Sequence, residues 1–345
     1  MAGKGVPSRP GGVPPGQTER WQRRARSGLQ FGADFLLPST VVVSGIAGAV
    51  GRRLTRALHR HCRVLGLDHR AFPDRPKDVE HREVDIRRKR AREVFRGADV
   101  RAVVHLGVLH DSHDRASDLH ARNLLGFQQL LDFVRQYRVP KVVLVSSANV
   151  YGPRSDNPQF LTEEAPLLGA AASEHARDLV SVDMVAQSFF WQHADTETVI
   201  LRPAHVLGTV ENAPSNYLRL AVVPTLLGFD PMVQVVHQDD VVRAILLSLR
   251  PGVRGIFNLA GPPPAALSRV LRILERKILP VPHTLARLGA ERLWRWRMSA
   301  VPAPDLDFIR YVCMVDDARA RRVLGYQPDF DLVETLRAVD AERWI

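Results

Sequence analysis

Residues 41–51, Val-Val-Val-Ser-Gly-Ile-Ala-Gly-Ala-Val-Gly, decide the fold, because a short apolar run gives way there to glycines spaced G-x-x-G-x-x-G. The β-branched run 41–43 is typical of a buried parallel strand. The residues Leu54, Ala57 and Leu58 that follow share one face of a helix. The first glycine permits a tight turn, the second lets backbone approach a pyrophosphate, and the third lets the helix pack closely on the strand. A strand, a glycine turn and a helix in this order predict a phosphate-binding loop at a helix N-terminus.

A second apolar strand at 63–67 ends in Asp68, roughly 20 residues beyond the start of the glycines. A carboxylate at this place is suited to accept both hydroxyl groups of an adenosine ribose. The sequence therefore predicts a dinucleotide site, with NAD in preference to NADP, because Asp68 would repel a 2′-phosphate. The neighbouring Arg70 weakens that argument for NAD.

Composition excludes several other classes of protein. The 345 residues are 45% hydrophobic, enough for a sizeable core, and no apolar run reaches the roughly 18 residues of a membrane span. The two cysteines, Cys62 and Cys313, lie far apart, so we expect neither a disulfide framework nor a metal site, and a cytoplasmic location is the default. The net charge of +11 is spread along the chain without interleaved stacking aromatics, so no nucleic-acid partner is predicted.

The chain divides by composition into three parts. Residues 1–38 are rich in Gly, Pro and Arg and predict a disordered tail. Alternating strands and helices then predict an α/β fold, a Rossmann-type doubly wound parallel sheet, with a dinucleotide-binding domain at 39–205. Residues 206–345 predict mainly a smaller C-terminal substrate lobe, in which strands such as 255–260 can rejoin or flank the main sheet. Helices are predicted at 49–60, 88–96, 116–137, 175–192, 239–249, 265–277, 283–297 and 331–341.

Further motifs follow the glycine loop in a fixed order: Asp85-Ile86, Val104-His105-Leu106-Gly107, Asn123 with Gly126, Ser146-Ser147-Ala148-Asn149-Val150-Tyr151-Gly152, Leu201-Arg202-Pro203-Ala204, His237-Gln238-Asp239-Asp240-Val241-Val242 and Leu324-Gly325-Tyr326-Gln327-Pro328. Together they resemble the extended short-chain dehydrogenase/reductases, the NAD-dependent epimerase/dehydratase type that includes nucleotide-sugar epimerases. The resemblance runs from about residue 40 to the C-terminus. It implies an NAD site, a small-molecule substrate such as a nucleotide sugar, and leaves a homodimer open.

Combined with the resemblance, the residues predict a cofactor site at the glycine loop and the ends of the neighbouring strands. The expected cofactor-binding residues are Gly45, Ile46, Ala47, Gly48, Ala49, Val50, Gly51, Asp68, Asp85, Ile86, Leu106, Gly107, Val108, Asn123, Val145, Ser146 and Pro203.

The catalytic signature of that family, Y-x-x-x-K, is missing. In the family the lysine lowers the pKa of the tyrosine, whose phenolate then exchanges a proton with the substrate hydroxyl. The aligned segment places His175 at the tyrosine position and Leu179 at the lysine position, and the chain has no lysine between residues 141 and 277. The candidates that remain are Ser147, at the substrate-positioning serine, and His175 as a replacement base. Tyr151 belongs to the turn motif and is expected to be structural.

Two functions therefore remain open from the sequence. The chain is either a family enzyme with altered acid–base chemistry or a dinucleotide-binding sensor or scaffold without turnover. The basic, aromatic segment Arg287–Arg297 fits a substrate-lobe helix better than a membrane contact. Asp239 and Asp240 are predicted to begin a helix, with Asp240 joining the two lobes.

Overall fold

A computed structural model describes residues 37–106, 116–171, 174–210, 212–282, 311 and 313–340. Three predictions fall outside the described residues. They are the tail up to residue 36, the cofactor residues Gly107 and Val108, and the helix at 283–297, which includes Arg287–Arg297. The side chain of His175 also lies outside the described residues.

The centre of the fold is a seven-stranded sheet in which every neighbouring pair is parallel. Its strands are β1 (Thr40–Ser44), β2 (Arg63–Asp68), β3 (Glu80–Glu83), β4 (Ala102–His105), β5 (Lys141–Val145), β6 (Glu197–Pro203) and, after four strands outside the sheet, β11 (Gly255–Leu259). They lie in the order β11-β6-β5-β4-β1-β2-β3. The order reverses between β1 and β4, and ligands of such sheets bind beyond the carboxyl ends of the strands at this reversal.

The described helices are α1 (Ala49–Leu58), α2 (Ala116–His120), α3 (Gly126–Gln136), α4 (Glu174–Gln192), α5 (Ala213–Arg219), α6 (Gln238–Ser248), α7 (Leu267–Ile273) and α8 (Leu332–Arg337). A π-helical turn, Ala121–Leu125, joins α2 to α3. Phe127 and Leu130 of α3 and Phe189 of α4 share one core cluster with Val42 and Val142 of the sheet. Helices α1 and α6 contact each other and the strands. The predicted doubly wound parallel sheet is confirmed.

Three pairs of short strands follow β6: β7 (His205–Leu207) with β10 (Val235–His237), β9 (Met232–Val233) with β12 (Ala265–Ala266), and β8 (Val222–Leu226) with β13 (Lys277–Val281). The residues of this region build their own apolar cluster, which includes Leu207, Tyr217 and Leu271. The division into domains at 205/206 stays a prediction. Strand 255–260 does join the main sheet, as Gly255–Leu259 beside β6.

Several predicted helices differ from the structure. The helix predicted at 331–341 is shorter and spans Leu332–Arg337. The helix predicted at 265–277 ends at Ile273, because Glu275 takes a left-handed φ of 54° and the chain continues as the strand β13. The segment 88–96 forms a 3₁₀ helix, Lys89–Val94, instead of an α-helix. Among the described helices, none is long and apolar enough to cross a bilayer.

Two buried polar side chains fix the helix α6. Lys141, on β5, donates from Nζ to the carbonyls of Ser248, Arg250 and Val253 at 3.1, 2.6 and 3.0 Å, where α6 ends. At the other end, Oδ1 of Asp240 accepts the N–H of Asp329 at 2.8 Å. Asp240 thus ties the start of α6 to the C-terminal part of the described chain.

Candidate functional site

The glycine loop has the geometry of a phosphate cradle. Gly45 takes a φ of 84°, and its N–H donates to the carbonyl of Leu67 at 2.9 Å, which ties the loop to β2. A Cβ on Gly51 would lie 2.4 Å from the carbonyl oxygen of Gly45, so only glycine lets α1 begin this close to the strand. The N-cap Gly48 offers no side chain to the helix, and the first turn carries no acidic residue. The N-terminus of α1 is therefore suited to an anion.

Asp68 is buried at the carboxyl end of β2 and holds the loop in place. Its Oδ2 accepts the N–H of Ala47 at 3.0 Å. Its Oδ1 accepts the N–H and Nε of Arg70 at 3.0 and 3.2 Å. Burial acts to raise the pKa of Asp68, but the hydrogen bonds and charge of Arg70 and the Ala47 N–H outweigh it, so the pKa lies below its usual value. The carboxylate is thus anionic at neutral pH.

The loop and Asp68 open into one cavity of about 1320 Å³ at the carboxyl ends of the strands. Most of the predicted cofactor residues line it: Gly45, Ala47, Gly48, Ala49, Val50, Gly51, Asp68, Asp85, Ile86, Leu106, Asn123, Val145, Ser146 and Pro203. Ile46 is different, because its side chain is fully buried and would lie 2.6 Å from a Cβ on Gly66 of β2. Ile46 itself does not line the cavity.

Asp85 and Asn123 are both held by partners. Asp85 receives the guanidinium of Arg87, with Nη2 2.6 Å from Oδ2, and this hydrogen bond lowers the pKa of Asp85. The amide of Asn123 donates to Oδ2 of Asp178 at 3.2 Å, and the other oxygen of Asp178 lies 2.5 Å from Nδ1 of His120. Asn123 is thereby tied to the helix α4.

A buried polar network supports the floor of the cavity below Ser146. The hydroxyl of Ser146 donates to Oδ2 of Asp183 at 2.7 Å. Asp183, fully buried on α4, pairs with Arg202 of β6 through Nε at 3.0 Å and Nη2 at 2.7 Å. Arg202 in turn donates to the hydroxyl of Tyr151, which donates to Asn258 of β11, each at 2.8 Å. The network joins two strands of the sheet to α4 and to the turn after β5.

The network also settles the role of Tyr151. Burial raises the pKa of Tyr151 to about 12, and its hydroxyl is engaged by Arg202 and Asn258 away from the cavity lining. Tyr151 is a structural residue. Ser147, by contrast, lines the cavity. Its Oγ accepts the N–H of Asn149 at 3.1 Å, and this bond leaves the hydroxyl proton for a ligand oxygen.

The cavity wall formed by α4 is apolar where the family carries its lysine. Leu179 is only 6% exposed and packs with Val150, Val180 and Ala204, and both Leu179 and Ala176 line the cavity. No cation reaches the cavity from position 179. The contribution of His175 stays a prediction, since its side chain lies outside the described residues.

The far half of the cavity is built by residues after β6, including His205, Val206, Asn212, Pro214, Tyr217, Pro231, Val233 and Leu267. His205 is a titratable residue that the motif analysis missed. It begins β7, two residues beyond the end of β6, and burial lowers its pKa to about 4. Its place directly after the L-R-P-A motif is the sequence signal that could have found it.

The described residues fit a dinucleotide. The glycine cradle suits a pyrophosphate and Asp68 suits a ribose, and both lie on the cavity that continues past Ser146 and Ser147 to the far half. Among the described residues there is no cluster of side chains suited to a metal ion.

The chain is similar to several known proteins. An uncharacterized protein of Mycobacterium tuberculosis is 27% identical over 312 residues, which cover 86% of this chain and 82% of that protein. The structure of MoeE5 in complex with UDP-glucuronic acid and NAD has a TM-score of 0.71 at 20% identity and covers 88% of this chain and 99% of its own. The UDP-glucose 4-epimerase of Thermotoga maritima, solved with UDP-glucose, has a TM-score of 0.68 at 18% identity, with coverage of 88% and 98%.

These two structures share the fold of this chain. The family itself is identified by a sequence model, described as the NAD dependent epimerase/dehydratase family, which matches residues 41–260. That match spans more than half of the chain and includes the glycine loop, Asp68, Ser147 and the L-R-P-A strand. The chain belongs to the NAD dependent epimerase/dehydratase family.

Proposed function

We propose that the protein binds NAD in this cavity and acts on a hydroxyl or carbonyl group of a nucleotide sugar, with acid–base chemistry that departs from the family pattern. One observation carries the proposal: a single cavity runs from the glycine loop and Asp68, past Ser147, into the region after β6. UDP-glucuronic acid and NAD are the ligands of MoeE5, and UDP-glucose that of the Thermotoga maritima epimerase. Their shared fold supports the same ligand class here.

Each part of the cavity has a role in this proposal. The loop N–H groups and the N-terminus of α1 bind the pyrophosphate of NAD, and Asp68 orients the adenosine ribose. When bound, NAD supplies a hydride acceptor and donor next to the substrate carbon. Ser147 then orients the reacting oxygen through its hydroxyl proton. In line with the predicted substrate lobe, residues from 206 onward bind the rest of the substrate.

In this proposal the proton transfer differs from that of family members with a tyrosine–lysine pair. A phenol lowered in pKa by a neighbouring lysine is not available, because position 175 is histidine and position 179 is leucine. His175 is the proposed replacement base, since an unshifted imidazole titrates near pH 6.5. We expect turnover of ordinary family substrates to be reduced by about 10²–10⁴-fold, the usual contribution of a positioned acid–base group.

A second function is favoured by Leu179. An apolar residue packed into the wall at the lysine position removes the cation that would hold the nicotinamide ribose. The alternative is therefore a protein that binds NAD without turnover and acts as a sensor or scaffold.

One set of measurements separates the two functions. Binding of NAD is measured by isothermal titration, and conversion of UDP-glucose and UDP-glucuronic acid is followed by NMR. If the wild type turns over and His175→Ala loses that activity, His175 is a working base. If the wild type is inactive and the double variant His175→Tyr, Leu179→Lys gains activity, the non-catalytic function holds. Turnover at normal family rates that His175→Ala leaves unchanged would refute the proposed chemistry.

The remaining parts of the proposal concern assembly and location. We propose a homodimer, supported by exposed Met184 and Trp191, which lie seven residues apart on one face of α4 and are 58% and 76% exposed. The cytoplasm is the proposed location, supported by the type of substrate and by the isolated cysteines.

A further inference from the structure

Arg70 occupies the adenosine-ribose end of the cavity together with Asp68. Its Nε lies 3.2 Å from Oδ1 of Asp68 and its Nη2 lies 3.3 Å from Oδ2, so the guanidinium spans both carboxylate oxygens. The Arg70 side chain is 50% exposed and lines the cavity. A Cβ on Gly48 would lie 3.4 Å from Nη2, which places the guanidinium against the phosphate-binding loop.

The pair has a different charge from a lone carboxylate. An unpaired Asp68 would repel a 2′-phosphate, which is the physical basis for preferring NAD. With a guanidinium on both oxygens, the net charge of the pair is zero and that repulsion is largely cancelled. Nδ1 of His69 also lies 3.3 Å from Oδ1, and Nε of Arg52 donates to the carbonyl of Ala47 in the same loop. Nitrogen atoms of Ala47, His69 and Arg70 thus lie within 3.3 Å of the Asp68 carboxylate.

Arg70 also has donors to spare for an anion. A guanidinium has five N–H groups in a planar fork that matches phosphate oxygens. Among the described residues, the side-chain bonds of Arg70 to Asp68 use Nε and Nη2 and leave Nη1 for a ligand. The half-exposed side chain can turn toward a phosphate at the ribose without leaving the mouth of the cavity.

We propose that Arg70 forms a subsite for a 2′-phosphate, so that the protein binds NADP as well as NAD. The inference rests on the proposed function, since it assumes that the adenosine ribose lies at Asp68. It departs from the simple prediction from Asp68 alone, because the specificity is set by the Asp68–Arg70 pair.

Titration calorimetry with NAD, NADP, 5′-AMP and 2′,5′-ADP tests the subsite without requiring turnover. For the wild type we expect the dissociation constants of NAD and NADP to agree within about tenfold. Arg70→Ala should weaken NADP and 2′,5′-ADP by about tenfold to a hundredfold, the range of charge-assisted hydrogen bonds, and change NAD and 5′-AMP less than about threefold. Arg70→Lys keeps the charge but loses the planar fork of N–H donors, so its affinity for NADP should lie between those of the wild type and Arg70→Ala.

Arg90→Ala is the matched control, because Arg90 is an exposed arginine outside the cavity lining. The subsite is refuted if wild-type NADP binds more than about tenfold more weakly than NAD, or if Arg70→Ala weakens both dinucleotides equally. Absence of NAD binding with NADP binding intact would refute the proposed cofactor but support the subsite. Absence of binding by either dinucleotide would refute both.

Discussion

The buried carboxyl group of Asp240 makes the stability of the protein depend on pH, and Asp240→Asn should remove this dependence. The side chain is 1% exposed, and burial is the main cause that raises its pKa to about 7. Its Oδ2 has no hydrogen-bond partner among the described residues, whereas its Oδ1 accepts the N–H of Asp329. The ionised form is therefore poorly solvated in the fold, and the neutral form is preferred.

The direction and size of this pH dependence follow from the difference between the pKa of Asp240 in the folded and in the unfolded chain. In the unfolded chain the carboxyl has its usual pKa of 3.8, so between pH 3.8 and about 7 the folded state holds a proton that the unfolded state has lost. Stability from this group is full below pH 3.8 and falls as pH rises through that window. At about 1.4 kcal/mol per pH unit, the wild type loses about 3 kcal/mol from this group between pH 5 and pH 8.

Asp240→Asn removes the titration while keeping an oxygen for the Asp329 N–H. Urea unfolding of the variant and the wild type is measured at pH 5 and pH 8, and the difference in unfolding free energy between the proteins is compared at the two pH values. We expect that difference to shift by about 2–3 kcal/mol in favour of the variant at pH 8. Asp132→Asn, on an exposed carboxylate, is the control and should show no such shift. A difference that is the same at both pH values within about 0.5 kcal/mol would refute the reasoning.

Three further predictions concern the loop, the core and the assembly. Gly51→Ala should abolish NAD binding in calorimetry, because its Cβ would lie 2.4 Å from the carbonyl of Gly45, and affinity within about twofold of wild type would contradict this. Lys141→Met leaves three carbonyls without their donor and should lower the free energy of unfolding in denaturant by roughly 3–5 kcal/mol. The exposed control Lys89→Met should leave that free energy unchanged, and equal losses in the two variants would be inconsistent with the buried contacts. Trp191→Glu should convert the proposed homodimer to monomers in light scattering, and an unchanged mass would exclude this face.

The parts of the fold that the sequence predicted are those where one local pattern decides the structure. The glycine loop, β1 and Asp68 could be placed because buried parallel strands are continuously apolar and the loop needs glycine at fixed points. The strand β3 could not, because Glu80–Glu83 is polar and lies at the edge of the sheet, where only one neighbour and little burial are required. The short strand pairs after β6 depend on tertiary contacts.

Part of the candidate site could also be predicted from local patterns, and part of it depends on side-chain conformation and tertiary contacts. Motif positions located Asp68 and Ser147, but the bidentate contact between Arg70 and Asp68 depends on side-chain conformation, which spacing does not encode. The inward side chain of Ile46 follows from its packing on Gly66 of another strand. His205 enters the cavity only because β7 turns away from the main sheet to pair with β10.

The buried network around Asp183 holds α4 on the sheet without using the residues at positions 175 and 179. Asp183 lies four residues beyond Leu179 and eight beyond position 175, so the three positions share one side of the helix. Asp183 is bound to Ser146, Gln187 and Arg202, and these bonds fix the register of the helix on the sheet whatever residues stand at 175 and 179. Substitutions at positions 175 and 179 therefore leave these bonds of Asp183 in place. The position of the helix on the sheet and the residues that face the cavity from it can thus be changed independently.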